Sequence, residues 1–158
     1  SLRKMVDSGE IKREGKGKEE TNEHVYEGEF HNDKKNGNGK LSYKLLKDTY
    51  EGEFKDNCIT GTGFYTWANK DTYQGSFVNG KMHGKGLFKW PDGTEYEGDY
   101  VNNLREGLGE YRWKNGKTFK GMFKGGKQHG SIFCGILLAQ VFGSEGLVRR
   151  SKEQSRSV

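Results

Sequence analysis

The chain has 158 residues, 25 of them Gly and one Pro, with hydrophobic residues at 30% and aromatics at 13%. A globular domain is usually near half apolar, so a thick core is excluded, and the 3 Trp, 8 Tyr and 9 Phe exclude wholesale disorder, which is aromatic-poor. The formal net charge of +5 is diluted by acids along the whole chain, which speaks for solubility and against nucleic acid as a partner, since that needs Lys and Arg clustered on one face.

Residues 1–25 carry six basic and six acidic side chains and read as a flexible N-terminal arm, mobile or briefly helical over 1–13. Within it, Glu14-Gly15-Lys16-Gly17 has the look of a decayed half-repeat. The stretch from Ser1 to Glu20 is charged throughout, unlike a secretory signal. The longest apolar run, Ile132 to Phe142, has 11 residues against the ~20 of a spanning helix, so a cytoplasmic chain is expected.

From Tyr26 onward the sequence repeats. Tyr26, Tyr50, Tyr73, Tyr96 and Phe119 fall in one column, spaced by 24, 23, 23 and 23 residues. Two places later stands glycine in every row: Gly28, Gly52, Gly75, Gly98 and Gly121. Two places further comes an aromatic: Phe30, Phe54, Phe77, Tyr100 and Phe123. Further columns hold Gly37, Gly61, Gly84, Gly107 and Gly130, then Gly39, Gly63, Gly86 and Gly109, then Tyr43, Trp67, Trp90 and Trp113. Alternation of period two, as in Tyr96-Gly98-Tyr100, places each trio on one face of a strand. About six residues such as Val78 to His83 would link the two strands of a repeat. Short turns, such as Pro91-Asp92-Gly93-Thr94 and Lys114-Asn115-Gly116-Lys117, would link one repeat to the next. The expected fold is all-β: an elongated single-layer antiparallel sheet of consecutive β-hairpins, over 26–49, 50–72, 73–95, 96–118 and a truncated 119–130. Glycine between two same-face aromatics weakens a strand, so its regular use implies that rings lie over bare backbone there, adding ~0.5–1.5 kcal/mol per aromatic pair. With strands ~4.8 Å apart, each repeat advances the sheet by roughly 10 Å.

Residues 131–158 form an atypical tail, apolar and then polar. Ile132 stands where a third-column glycine belongs, and the segment reads as a capping helix, an intermolecular contact or an alternative transcript end.

No catalytic constellation emerges. His24, His31, His83 and His129 fall in loops or at a strand edge without a Ser, Cys or Asp partner, Cys58 and Cys134 have no metal or disulfide spacing, and no Gly-Lys-Ser/Thr phosphate loop occurs. Catalytic, metal and cofactor sites are therefore not expected. Partner binding is. The candidate contact residues are Trp67, Trp90, Trp113, Tyr43, Tyr50, Tyr73 and Tyr96, because Tyr and Trp on an exposed sheet face are the usual hot-spot types. The acids that recur at Glu51, Glu53, Glu97 and Asp99 would select a basic helix or extended segment. A rival reading is a peripheral tether to anionic phospholipid through basic loops at Lys34-Lys35, Lys81, Lys85, Arg105, Lys124 and Lys127.

Tyr-Glu-Gly-Glu-Phe, Lys-Met-His-Gly-Lys-Gly and Trp-Pro-Asp-Gly-Thr-Glu-Tyr-Glu-Gly-Asp-Tyr resemble MORN repeats, the membrane occupation and recognition nexus motif, over about residues 26–130. The resemblance implies a single-layer sheet of hairpins acting as scaffold, docking site or dimerisation element. It further implies a cytoskeletal or ciliary setting, a membrane junction, or a regulatory part of an enzyme, as such repeats occur in axonemes, junctional proteins and lipid kinases.

Overall fold

The computed structural model describes the backbone of residues 2–5 and 9–133 and the side chains of 9–126. It contains twelve strands: β1 (Leu2–Met5), β2 (Ile11–Glu20), β3 (His24–His31), β4 (Lys34–Tyr43), β5 (Thr49–Lys55), β6 (Cys58–Thr66), β7 (Thr72–Val78), β8 (Lys81–Lys89), β9 (Glu95–Val101), β10 (Leu104–Arg112), β11 (Thr118–Lys124) and β12 (Lys127–Phe133). The chain divides into two compact units at Lys81 and Met82. In the first, β1 to β7 pair antiparallel with their chain neighbours. In the second, β8 to β12 do the same. Each unit is one layer of strands, with no helix among the described residues.

The hairpins are tighter than the six-residue links expected from sequence. Each closes on two residues with positive φ: Asn32-Asp33, Asp56-Asn57, Asn79-Gly80, Asn102-Asn103 and Gly125-Gly126. Two successive positive φ values make the type I′ turn, whose twist matches that of paired strands and which Asn, Asp and Gly tolerate. The residues that follow are already strand. They accommodate their extra length in a β-bulge, seen as register shifts at Gly28/Phe30, Gly52/Phe54 and Glu106/Gly109. The second glycine column supplies the bulge residue, with φ of 89° at Gly37, 64° at Gly61, 83° at Gly84 and 68° at Gly107. His31 and His83 therefore stand in strands, as does the backbone of His129.

Successive hairpin tips are stitched together. The second turn residue donates its N–H to the repeat before it: Asn57 to Lys35 O and Gly80 to Ile59 O in the first unit, Asn103 to Met82 O and Gly126 to Arg105 O in the second, each at 2.9 Å.

The described part of the N-terminal arm is strand, not loose chain or helix. β2 pairs with β3 with Gly17 opposite Gly28, the same register in which Gly39 faces Gly52, so the decayed half-repeat is a working strand. β1 covers its outer edge from Leu2 opposite Glu14 to Met5 opposite Ile11. An uncovered edge would leave a row of unpaired backbone groups, which is the reason a short, charged segment becomes a strand here. At the other end the fifth hairpin continues past 130, with Ile132 opposite Gly121 and Phe133 opposite Lys120. Residues 134–158, with most of the apolar tail, lie outside the described residues.

The core of each unit is a zipper of rings on one face. Tyr26, Tyr50 and Tyr73 in the first unit, and Tyr96 and Phe119 in the second, have no exposed surface. Tyr26 meets Phe30 and Phe54 edge-to-face at 5.1 and 5.0 Å, and Tyr50 meets Phe54 and Phe77 at 5.3 and 5.2 Å. In the second unit Tyr96 meets Tyr100 and Phe123 at 5.6 and 5.3 Å. Each ring thus ties its own repeat to the next, the geometry that aromatic quadrupoles favour.

Candidate aromatic docking face

The glycine column is what lets the rings lie down. A Cβ on Gly28 would come 2.6 Å from the Tyr26 hydroxyl oxygen, one on Gly98 2.5 Å from that of Tyr96, and one on Gly121 2.9 Å from Phe119 Cζ. Gly52 likewise lies under Tyr50, and Gly75 stands at the same register point opposite Gly63. The ring laid over glycine carries its hydroxyl to a backbone acceptor: Tyr26 donates to Glu29 O at 2.8 Å, Tyr50 to Glu53 O at 3.0 Å and Tyr73 to Ser76 O at 3.0 Å. Burial pushes all three phenols up to about 12. Tyr96 lies the same way but its buried hydroxyl has no acceptor, nor does that of Tyr111.

This placement corrects one expectation. Tyr50, Tyr73 and Tyr96 are sealed under neighbouring rings and offer nothing to a partner. Period-two alternation identifies the face but not the depth. The Tyr column opens the first strand of each repeat and lies under aromatic neighbours, whereas the Trp column follows the end of the second strand, where the turn begins.

That column is half-buried: Tyr43, Trp67, Trp90 and Trp113 each keep part of the ring in solvent. The backbone N–H of each Trp donates to the residue four on, Trp67 to Asp71 O at 3.0 Å, Trp90 to Thr94 O at 2.9 Å and Trp113 to Lys117 O at 2.8 Å. Residues two places earlier complete the row: Tyr65 lies 4.6 Å from Trp67, and Phe88 4.6 Å from Trp90. In the second unit Trp90, Tyr111 and Trp113 form a continuous stack, with centroids 5.6 and 5.8 Å apart and planes 21° and 25° from parallel. Sequence reasoning passed over Tyr65, Phe88 and Tyr111, although their place two residues after the third glycine was the available signal.

The acids lie on the opposite face from the rings, so the structure does not unite the two halves of the expected site. Glu53 accepts hydrogen bonds from the N–H and hydroxyl of Thr62, which holds its carboxyl below the usual range, and Glu29 accepts from Asn38 N at 2.7 Å. Both carboxylates thus secure a bulge. Glu51 stands between Lys40 and Phe64 in register, beside a shallow depression of about 510 Å³ lined by Lys16, Glu27, Asn38 and Lys40 among others. Glu97 pairs with Arg112 at 3.0 Å and Asp99 with Lys85 at 3.4 Å. All of these pairs are solvent-exposed, worth about 0–1 kcal/mol each.

The family model for the MORN repeat matches residues 26–44, 50–72, 73–95, 96–118 and 119–131, most of the chain. The chain belongs to the MORN repeat family. A comparison with curated proteins found no match. MORN repeats are non-enzymatic modules that bind proteins or membranes, and the expected hairpin fold is the one observed. The MORN face also carries charge where the repeat pattern is broken. Arg105 takes the place held by Ile59 in the first unit, its guanidinium carbon 5.6, 5.5 and 5.7 Å from the ring centres of Tyr96, Tyr111 and Phe123, and it donates to Gly126 O at 2.9 Å. Glu19 takes the place of Leu41 and binds Lys35 at 2.7 Å, Arg13 at 2.6 Å and His24 at 3.1 Å, with Lys35 the main reason its carboxyl is held at about 2. Asp48, 8% exposed, accepts from the Tyr65 hydroxyl at 2.7 Å and from Ala68 N at 3.0 Å. Burial, then the Asp48 carboxylate, raises both Tyr65 and Tyr43 above the ordinary phenol.

Among the described residues no three His, Cys, Asp or Glu side chains gather as metal ligands, and no helix is long and apolar enough to cross a membrane.

Proposed function

We propose that this MORN chain is a non-catalytic scaffold that holds a helix or extended segment of another protein against half-buried Trp rings, Trp67 in the first unit and Trp90 and Trp113 in the second. In this reading it is a cytoplasmic structural component of a cytoskeletal or ciliary assembly. The observation that carries the docking role is the contrast in depth on one face. The Tyr column is sealed, while Trp67, Trp90 and Trp113 keep ring surface in solvent beside aromatic neighbours that fix their orientation. Preorientated rings with little entropy left to lose are what hot spots consist of. The cytoskeletal and ciliary setting rests on the family resemblance alone.

The test places a photo-crosslinking residue at Trp113, on the ring face, or at Glu97, on the opposite face, in the full chain expressed in ciliated cells. Crosslinking to one axonemal or cytoskeletal protein from position 113 and not from 97, lost when Trp90→Ala is added, supports the reading. Equal crosslinking from both faces, or no dependence on Trp90, overturns it. The lipid reading is motivated by the exposed Leu45 and Leu46, set between Lys44 and Lys47 in the first inter-repeat loop. Flotation with vesicles containing anionic phospholipid that is lost in a Leu45→Ser/Leu46→Ser variant would favour that alternative.

A further inference from the structure

Asp48 is the most buried acid of the described side chains, and no ion pair among those residues includes it. Other acids on the ring face are matched: Glu19 by Arg13 and Lys35, and Asp33 by Arg13. Asp48 has only neutral donors, the Tyr65 hydroxyl on one oxygen and the Ala68 N–H on the other, and no Lys, Arg or His of the described residues lies within ion-pair distance. Each oxygen keeps a further lone pair. Two neutral hydrogen bonds offset only part of the cost of burying a carboxylate, and an incoming cation would offset more of it.

Its walls suit a cation as well. Trp67 and Tyr65 pack at 4.6 Å, and Tyr43 lies near enough for the Asp48 charge to raise its phenol. All three residues are half-buried. Aromatic faces attract Lys and Arg, Trp most strongly. The loop from Lys44 to Asp48, closed by Tyr43 N donating to Asp48 O at 2.9 Å, holds Leu45 and Leu46 beside the site at 86% and 64% exposure. The loop that carries Asp48 is one residue longer than its counterparts.

We infer that Asp48, Tyr43, Tyr65 and Trp67 form an anchor for one Arg or Lys side chain of the docked protein, with Leu45 and Leu46 meeting apolar residues on either side of it. This deepens the docking reading and rests on it. It names the partner segment as basic and amphipathic, with the cation engaging the carboxylate from the ring face rather than through the acids on the far side.

The test uses the full chain and the peptide acetyl-Ala-Leu-Arg-Leu-Ala-amide, followed by the Trp67 indole N–H resonance, which a Trp67→Phe sample identifies. The expected result is a saturable shift of that resonance. Replacing the arginine by neutral citrulline, or Asp48 by Asn, should weaken binding about tenfold or more, the scale of a charge-assisted hydrogen bond. Tyr43→Leu leaves both hydrogen bonds on Asp48 intact and should still weaken the peptide by about threefold through the lost ring face. That variant decides the matter if Asp48→Asn proves misfolded by circular dichroism. Equal affinity for the arginine and citrulline peptides, or no loss in a folded Asp48→Asn chain, overturns the anchor. So does a Trp67 shift produced by phosphatidylcholine vesicles and not by the peptide, which would assign the site to a lipid headgroup. If the anchor fails while crosslinking from position 113 still depends on Trp90, docking stands and only its cation specificity falls.

Discussion

Placing a single methyl group at Gly52 tests the packing on which the fold depends. A Cβ there would come 2.5 Å from Gly63 Cα and from Thr62 O on the paired strand, and 2.6 Å from the Tyr50 hydroxyl. Two of these neighbours are backbone, so relief requires the strands to part as well as the ring to lift. Overpacking of this kind costs typically about 1–3 kcal/mol, and lifting Tyr50 also breaks its bond to Glu53 O, worth about 1 kcal/mol. The conformational gain of Ala over Gly returns about 0.5 kcal/mol, leaving Gly52→Ala about 3 kcal/mol less stable. Gly80→Ala is the comparison, since its Cβ would meet nothing within 4 Å and only the positive φ of 76° is strained, at roughly 1–2 kcal/mol. In urea the first variant should lose about 1–2 M in midpoint and the second clearly less. Adding Tyr50→Leu should shrink the Gly52→Ala penalty by about 1 kcal/mol, because the ring is no longer there to displace. If Gly52 tolerates alanine as well as Gly80 does, or the penalty is unchanged without Tyr50, the account of rings bedded on glycine is wrong.

The depressed carboxyl of Glu19 makes stability pH-dependent. Its contribution is fully present above the unfolded value near 4.5 and is lost as pH falls toward about 2, so the unfolding free energy from urea titrations should drop across that window by about 1 kcal/mol after solvent screening, and Glu19→Gln should flatten the drop. Tyr50→Phe removes a satisfied hydroxyl and should cost about 1 kcal/mol, whereas Tyr96→Phe removes one buried without an acceptor and should be neutral or stabilising by thermal unfolding. In an alkaline titration followed at the phenolate absorbance, Tyr26, Tyr50 and Tyr73 should ionise near 12 rather than 10. Because the unfolded phenols ionise first, stability held below pH 10 should decline as pH rises toward 12, and normal titration of every tyrosine in a still-folded chain would contradict their burial.

The repeat columns make legible the strands, the shared face of the rings and the purpose of the glycines. They gave less about depth and turns. Tyr50 and Trp67 look alike as aromatics on one face, yet one is covered by the next repeat and the other ends its strand, a distinction that depends on which ring the neighbour lays over it. The linking segments read as six-residue loops because Asn79-Gly80 and Gly84 carry equal loop signals, while the backbone uses the first pair for a type I′ turn and the other glycine for a bulge. β2 escaped the periodic pattern because Glu19 and Thr21 replace the aromatic pair, and an ion cluster with Arg13 and Lys35 takes over their packing. Asp48 was invisible as a site residue, and Arg105 read as one more basic loop residue, for a related reason: each is an ordinary polar residue until the fold sets it among rings.

The repeat and its exceptions therefore do different work. A row that matches the pattern supplies a ring over glycine and an edge-to-face contact with the next row, and identical rows present identical surfaces, which give a partner no register. Register has to come from positions where the pattern is broken. The first unit has Asp48 and its longer loop beside Tyr65, and the second has Arg105 against Tyr96, Tyr111 and Phe123. On the proposed docking role, an acid-bearing ring site and a cation-bearing one would accept different charges, so each unit would discriminate among segments that its aromatic rows alone would bind alike. Stability would then be spread over every row and specificity concentrated in those few exceptions. Substitutions in the glycine and Tyr columns should therefore register in unfolding experiments and those at Asp48 in binding ones.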